Sequence, residues 1–484
     1  MKALEELFSS AHISATSPHY SAIVTSLCTH SRECKEGSIF FGFRGQSSDG
    51  SRYAEEALQN GAILAIVDEE APINDHQSII RVKNPHKTFA LINAAFYDNP
   101  QTELKLIAVT GTDGKSSTAD ILHQLLSFEG IPTGLFSTTS IDDGTGKIPS
   151  PYRISTPEAD LLYSFLDRCR SNRVEYVIIE ATSHALSEEY SRLYGLSFEI
   201  GIITTLSGDH IEFHGSKKAY LEAKLSLLGM IRPNGHFISS IENEELKRCL
   251  ARLNPSLHVH ILGRDHPYAV EEGTLHSVRG SFEGQPFTID LGLTVLATNA
   301  LLALLASSVI THKPPVELLP HLASVRPLKG RMQSVPNKKG IHVIIDYAHT
   351  IGAYEHLFSF IRQIRGKSRV ITVMGAAGGR DKEKRPVLGS IASEESDILI
   401  LTEEDPVFEE LHAINVMIKH GIAPQACCRV FEIDDRNSAI AEAIRLAEEG
   451  DIVLLLGKGH EQSIQRGNQS IPWDEEQALL EVIR

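Results

Sequence analysis

The sequence predicts an α/β protein of three domains: a small α/β N-terminal domain, a central mostly parallel sheet around a phosphate loop, and a smaller doubly wound C-terminal domain. Three observations carry this expectation. The chain has 484 residues, too many for one hydrophobic core. An apolar run, Leu104 to Val109, leads through a glycine-rich turn into a helical pattern beginning near Ser117. After residue 340, apolar strands recur at helix-length intervals, the alternation that builds a parallel sheet.

The first region, 1–97, holds short strands such as Ser38-Ile-Phe-Phe-Gly-Phe and Ala62-Ile-Leu-Ala-Ile-Val between turns rich in Gly, Ser and Asp. The Asp98-Asn-Pro-Gln cluster reads as a linker. The second region, 98–328, continues with Val174–Glu180 and Phe198–Thr204 as buried strands of a mostly parallel sheet. The chain breaks again at Arg326-Pro-Leu-Lys-Gly330. The third region, 329–484, carries strands at His342–Asp346, Arg369–Met374, Asp397–Leu401 and Asp451–Leu456. Open α/β sheets bind ligands at the carboxyl ends of their strands, so the chemistry is expected there.

Composition narrows the function. Hydrophobic content of 42% and charged content of 22% are those of an ordinary globular protein. A formal charge of −16 argues against a nucleic-acid or anionic-membrane surface while allowing a local basic pocket. The six cysteines show no C-x-x-C spacing and read as chance thiols in a reducing cytosol. The N-terminus is acidic where a signal peptide is apolar, and no apolar run approaches the ~18 residues of a membrane span. A cytoplasmic protein is expected.

The segment Thr110-Gly111-Thr112-Asp113-Gly114-Lys115-Ser116-Ser117 has the parts of a phosphate cradle: a strand, a glycine turn and a helix N-terminus. Lys115 adds a charge, and the Ser116 hydroxyl can ligate Mg²⁺. The general pattern has glycine where Val109 stands, so Gly111 opens a shortened loop. Glu180, at a strand end in the same domain, is placed to hold Mg²⁺ or simply to face solvent. Asp209, His210, Glu212 and His214 follow the next strand, where an imidazole can be a ligand oriented by a carboxylate. Lys224, in Ala219-Tyr-Leu-Glu-Ala-Lys, reads from its residues alone as a surface helical lysine. In the last region three glycine-rich polar loops follow strands: Asp346-Tyr-Ala-His349, Gly375-Ala-Ala-Gly-Gly-Arg380 and Gly457-Lys-Gly-His-Glu461. Three such loops at strand ends suit a phosphate or carboxylate ligand.

Together, in order and spacing along essentially the whole chain, these residues resemble the Mur ligases, and within them the members that add the third residue of the peptidoglycan stem peptide. The resemblance implies a UDP-MurNAc-binding domain over 1–97, a central ATP-binding domain of P-loop ATPase type over 98–328, and a Rossmann-like domain for amino acid and nucleotide over 329–484. It implies ATP and Mg²⁺ as cofactors, small-molecule substrates, no nucleic-acid or membrane partner, and a monomer. Catalysis would fall to Lys115, Glu180, His210 and Lys224, the last carbamylated, with metal held by Ser116, Glu180, His210 and Lys224. ATP would contact Gly111, Thr112, Asp113, Gly114, Lys115, Ser116, Ser117, Asn299, Arg331, Asp346 and His349. The UDP-MurNAc-peptide would meet Ser31, Gln46, Ser155, Thr156, Ser183 and Arg192. The incoming amino acid would meet Arg380, Glu404, Asp405, Gly457 and Glu461.

The implied reaction joins a third-position amino acid, meso-diaminopimelate or L-lysine, to UDP-MurNAc-L-Ala-D-Glu through an acyl phosphate. Four departures stand out. Thr205 replaces an Asn, Gly208 replaces a basic residue, and Ile351-Gly352 replaces Pro-Asp. The signature Asp-Asn-Pro-Arg reads Glu404-Asp405-Pro406-Val407, and valine has no guanidinium with which to grip a carboxylate. Alternatives are a folylpolyglutamate-synthase-like ligase, against which the first ~97 residues count, and a degenerate or repurposed Mur ligase.

Overall fold

The computed structural model describes residues 2–13, 19–45, 49–152, 154–206, 216–240, 246, 254–290, 292 and 294–483. The chain divides into two compact units: Met1–Ala119 with Leu126–Ile261, and Asp120–Leu125 with Leu262–Arg484.

The first unit holds two larger sheets, besides a short antiparallel pairing of Lys2–Ala3 with Ile23–Val24. Strands β1 (Ser26–Cys28), β2 (Ser38–Gly42), β3 (Ala62–Asp68) and β4 (Ile79–Val82) form a four-stranded parallel sheet in that order. The larger sheet has strands β5 (Lys105–Thr110), β6 (Thr133–Phe136), β7 (Ser140–Asp142), β8 (Ile148–Pro149), β9 (Tyr176–Glu180), β10 (Phe198–Ile203), β11 (Ile231–Ser240) and β12 (His258–Leu262). Their order is β8-β7-β6-β9-β5-β10-β11-β12. The run from β6 to β11 is parallel, and β7 and β8 fold back antiparallel at one edge. β9 and the Leu106–Thr110 part of β5 are buried throughout, which is why both read as unbroken apolar runs. The helix Pro85–Phe96 is capped by Asn84 and packs beside Ala159–Ser171. Phe89 and Ile92 thereby join Leu162, Phe165 and Leu166 in one hydrophobic core shared by the first and second regions of the sequence.

In the second unit, β13 (Tyr268–Gly273), β14 (Val278–Phe282) and β15 (Gln285–Ile289) form an antiparallel sheet. β16 (Gln333–Val335), β17 (His342–Asp346), β18 (Val370–Met374), β19 (Ile398–Leu401), β20 (Arg429–Glu432) and β21 (Ile452–Leu456) form a sheet ordered β16-β17-β21-β18-β19-β20. All but the edge strand β16 run parallel, as the recurring apolar strands predict. Thr350 caps the helix Ile351–Ile364, whose buried Tyr354, Leu357, Phe358 and Ile361 follow helical spacing. A hairpin of β22 (Ser463–Arg466) and β23 (Gln469–Pro472) completes the unit. Among the described residues, no helix is long and apolar enough to cross a membrane.

Candidate active site

Strand order assembles the first site. β5 lies between β9 and β10, with Glu180 opposite Val109 and Ile203 opposite Thr110. The phosphate loop, Glu180 and the Thr204-Thr205 pair therefore leave three neighbouring strand ends side by side. Gly111 adopts φ +152, and a Cβ there would lie 1.9 Å from Thr204 Oγ1. Only glycine fits this close approach. The helix begins at Lys115, so Ser116 and Ser117 lie in its first turn, both buried.

Side chains from distant segments hold the loop. The Ser116 hydroxyl donates to Glu180 Oε2 at 2.9 Å. The same oxygen accepts the Thr138 N–H at 2.9 Å and the Thr138 hydroxyl at 2.9 Å. The Thr138 hydroxyl also lies 2.7 Å from Ser155 Oγ. On the other side Thr204 Oγ1 donates to the Asp113 carbonyl at 2.5 Å, and Thr205 Oγ1 accepts the Asp113 N–H at 3.0 Å. The Lys115 ammonium reaches the Gly111 and Thr112 carbonyls at 3.1 and 2.9 Å.

Lys224 is not a surface residue. It is 2% exposed and donates to the Gly111 carbonyl at 2.5 Å. Its Nζ stands 4.6 Å from the Tyr220 ring centroid, and the Tyr220 hydroxyl meets Thr112 Oγ1 at 3.2 Å. Helical i, i+4 spacing puts Tyr220 and Lys224 on one face, a signal present in the sequence. His210 and Gln46 lie outside the described residues.

Thr156 donates to the Glu180 carbonyl at 2.7 Å and accepts the Thr182 N–H at 3.0 Å, next to Ser183. Arg192 donates to the Thr156 carbonyl at 3.0 Å and pairs with Glu158 at 2.5 Å. Burial raises the Glu158 pKa against the pull of Arg192. Beside this group, the His184 ring stacks on Tyr190 at 3.6 Å, and His86, 5.7 Å from Tyr190, stacks on Phe43 at 4.0 Å. Burial first, then Arg192 and His184, lower the His86 pKa to about 4. Sequence reading missed Phe43, His86 and Tyr190. Ser31 turns inward, donating to Glu56 Oε2 at 3.0 Å.

In the second unit, the ends of β17, β21, β18 and β19 lie in neighbouring order and bring the three glycine-rich loops together with Glu403–Val407. Gly330 touches the Gly459–His460 backbone so closely that a Cβ would lie 2.2 Å from it. That contact holds Arg331 with its guanidinium 4.8 Å from the Tyr347 ring centroid. Arg331 Nε and His460 Nδ1 are buried without a hydrogen-bond partner among the described residues. Asp346 accepts the Met332 and Ala348 N–H groups at 2.7 Å each, fixing the turn that carries Tyr347 and His349. Lys458, fully buried, joins Asp405 at 2.9 Å and also Glu461. The Glu461 carboxylate accepts the Tyr347 hydroxyl at 3.2 Å. Arg436, also missed from sequence, is fully buried, pairs with Glu475 and donates to the carbonyls of Glu403 and Leu456. One guanidinium thus ties two of these strand ends together. Asn299 is buried in the helix Thr294–Thr311.

Comparison with known proteins follows the same order along the chain. The sequence matches the Mur ligase family catalytic domain over residues 23–108, the Mur ligase middle domain over 109–306 and the Mur ligase glutamate ligase domain over 330–459. It is 34% identical to a UDP-N-acetylmuramyl-tripeptide synthetase of Borreliella afzelii, with 92% of this chain and 91% of the relative covered. It is 31% identical to a UDP-N-acetylmuramoyl-L-alanyl-D-glutamate–2,6-diaminopimelate ligase of Bacteroides thetaiotaomicron, covering 95% of each. A solved structure bearing that ligase name superposes with a TM-score of 0.66 at 24% identity, covering 100% of this chain and 98% of the other. A folylpolyglutamate synthase from Thermotoga maritima reaches a TM-score of 0.60 at 16% identity but covers only 77% of this chain. With all three of its regions matched and relatives aligned over nearly its full length, the chain belongs to the Mur ligase family.

Proposed function

We propose that this chain is the ATP-dependent ligase that joins a third-position amino acid to UDP-MurNAc-L-Ala-D-Glu in the cytosol. The observation that carries the reading is the convergence of Lys115, Ser116, Glu180 and Lys224 on one shortened phosphate loop. Relatives over nearly the whole chain are named as a UDP-N-acetylmuramyl-tripeptide synthetase and as a UDP-N-acetylmuramoyl-L-alanyl-D-glutamate–2,6-diaminopimelate ligase.

Backbone N–H groups and the helix N-terminus at Lys115 receive the nucleotide phosphates, and the Lys115 ammonium moves from loop carbonyls to phosphate oxygens. The γ-phosphoryl group passes to the D-glutamyl carboxylate, leaving ADP. The acceptor amine then attacks the acyl carbon, and the carbon–oxygen bond breaks to release inorganic phosphate. Ser116, Thr138 and Glu180 present the hard oxygen donors that suit Mg²⁺, which when bound neutralises phosphate charge. His210 is a further ligand by resemblance. Lys224, carbamylated, replaces an ammonium with an anion beside the loop. Asn299, Arg331, Asp346 and His349 are assigned to the nucleotide. Ser31, Gln46, Ser155, Thr156, Ser183 and Arg192 are assigned to the UDP-MurNAc-peptide, over domains at 1–97, 98–328 and 329–484.

The test is ADP release from ATP with UDP-MurNAc-L-Ala-D-Glu and a panel of amino acids. Acceptor-dependent turnover is the expected result. ADP release that no amino acid stimulates would overturn the reading.

A further inference from the structure

The helix that begins at the phosphate loop, Lys115–Phe128, carries a half-buried amide, Gln124, that grips the backbone of a residue 202 positions away. The Arg326 N–H donates to Gln124 Oε1 at 2.8 Å, and Gln124 Nε2 donates to the Arg326 carbonyl at 3.1 Å. The same Nε2 donates to Asp120 Oδ2 at 2.8 Å, one turn earlier on the helix. That carboxylate accepts only from the nitrogen, so it fixes which end of the amide faces which backbone group. Asp120–Leu125 and Arg326 lie in one compact unit.

This grip requires an amide. A carboxylate only accepts and an ammonium only donates, whereas one amide satisfies an N–H and a carbonyl together. Arg326 needs both. Residues 325–328 lie outside any helix or strand, so no ladder supplies partners for its backbone groups.

The strap from Arg326 to Arg331 is short and fastened beyond that point as well. Pro327 has a fixed φ, and Leu328 is buried. The Gly330 N–H donates to Gln333 Oε1 at 2.8 Å, and the Gly330 carbonyl accepts the Tyr347 N–H at 2.9 Å. The Arg331 N–H donates to the Leu328 carbonyl at 3.1 Å. Arg331 itself makes no ion pair among the described residues, and its Nε is buried without a partner. Its guanidinium rests 4.8 Å from the Tyr347 ring centroid. A guanidinium without a carboxylate to hold it takes its place from the backbone that carries it.

We infer that Gln124 is a positioning residue for the nucleotide: its amide sets the start of the strap, and the strap sets where the Arg331 guanidinium stands. This rests on the ligase reading above, which assigns Arg331 to ATP.

The test uses calorimetry on the full-length enzyme with Mg²⁺. Gln124→Leu keeps most of the side-chain volume and removes both bonds to Arg326. ATP affinity should fall about 5- to 10-fold. UDP-MurNAc-L-Ala-D-Glu affinity, measured with a non-hydrolysable ATP analogue saturating, should change less than about twofold. Gln124→Glu still accepts the Arg326 N–H but sets a charge against its carbonyl, and should lose at least as much ATP affinity. Beside Arg331→Met, Gln124→Leu should lower ATP affinity less than about twofold further, because its effect passes through that guanidinium. Exchange of the Arg326 amide hydrogen should quicken at least about tenfold in Gln124→Leu. Unchanged ATP affinity or unchanged exchange in that variant overturns the inference. So does an equal loss for both ligands, or a loss that persists in full beside Arg331→Met, since either marks a purely structural role. A parent enzyme that binds no ATP overturns the ligase reading and this inference with it.

Discussion

The buried Lys224 ammonium donates to the carbonyl of Gly111 at 2.5 Å, joining a helix to the first residue of the phosphate loop across 113 positions of sequence. Lys224 also lies over Tyr220, which touches Thr112, so one helix face braces two consecutive loop residues. On the proposed function, a charge this close to the phosphate loop should act on the reaction as well as on the loop. Lys224→Met keeps the aliphatic stem and its packing. It should lower kcat for ADP formation by about 100-fold or more while shifting the melting temperature by only a few degrees. A carbamate resonance from ¹³C-bicarbonate should be present in the parent enzyme and absent from the variant. An unchanged kcat would remove Lys224 from the chemistry.

Gly111→Ala probes the loop itself. The added methyl would stand 1.9 Å from Thr204 Oγ1, in a backbone region that L side chains rarely adopt. Thr204 also holds the Asp113 carbonyl, so relief of the clash displaces the loop. ATP affinity, measured by calorimetry, should fall at least about tenfold, with a loss of about 1–3 kcal/mol in stability. Thr205→Val removes one strap without a clash and should cost about 1 kcal/mol.

His86 predicts a pH dependence of stability. Its folded pKa of about 4 lies below the ordinary 6.5, mainly because the ring is buried against Phe43. Between those values the unfolded chain binds the extra proton, so stability rises with pH there. The contribution is complete above about 6.5 and is lost as pH falls toward 4. Urea unfolding should show a slope of up to about 1.4 kcal/mol per pH unit in that window from this group. His86→Gln should flatten it. Identical slopes would show that His86 titrates normally.

The parts of this architecture set by local pattern could be read from the sequence. The apolar run Val174–Glu180 became β9, Tyr176–Glu180, and the run Phe198–Thr204 became β10, because strands covered on both faces carry their signal in every residue. The phosphate loop was legible because glycine, lysine and serine are each required there for a separate physical reason. The residues that support it were not. Thr138 reaches Glu180 across 42 residues and Thr204 reaches Asp113 across 91, and neither residue type is unusual in a loop. Lys224 read as exposed because one helical lysine gives no periodic signal, although Tyr220 one turn earlier and Leu227 shortly after are both buried. Arg436 was missed for the same reason: an arginine in a helix reads as solvated until its ion-pair partner, 39 residues away, is known.

Arg436 and Glu475, each with no exposed side-chain surface, carry the last prediction. The guanidinium spans the Glu403 and Leu456 carbonyls, at the ends of β19 and β21, and so sets the spacing between Glu404 and Gly457. Glu475 neutralises it and also accepts the Trp473 indole N–H at 2.7 Å. Glu475→Gln leaves a buried guanidinium without its counter-charge, a change that costs about 3–5 kcal/mol. Unfolding followed by Trp473, the single tryptophan of the chain, should report that loss directly. Because the same pair sets the loops proposed to hold the acceptor, the surviving folded enzyme should show a raised acceptor KM, while its ATP affinity stays within about twofold. A destabilised enzyme with an unchanged acceptor KM would confine Arg436 to a structural role.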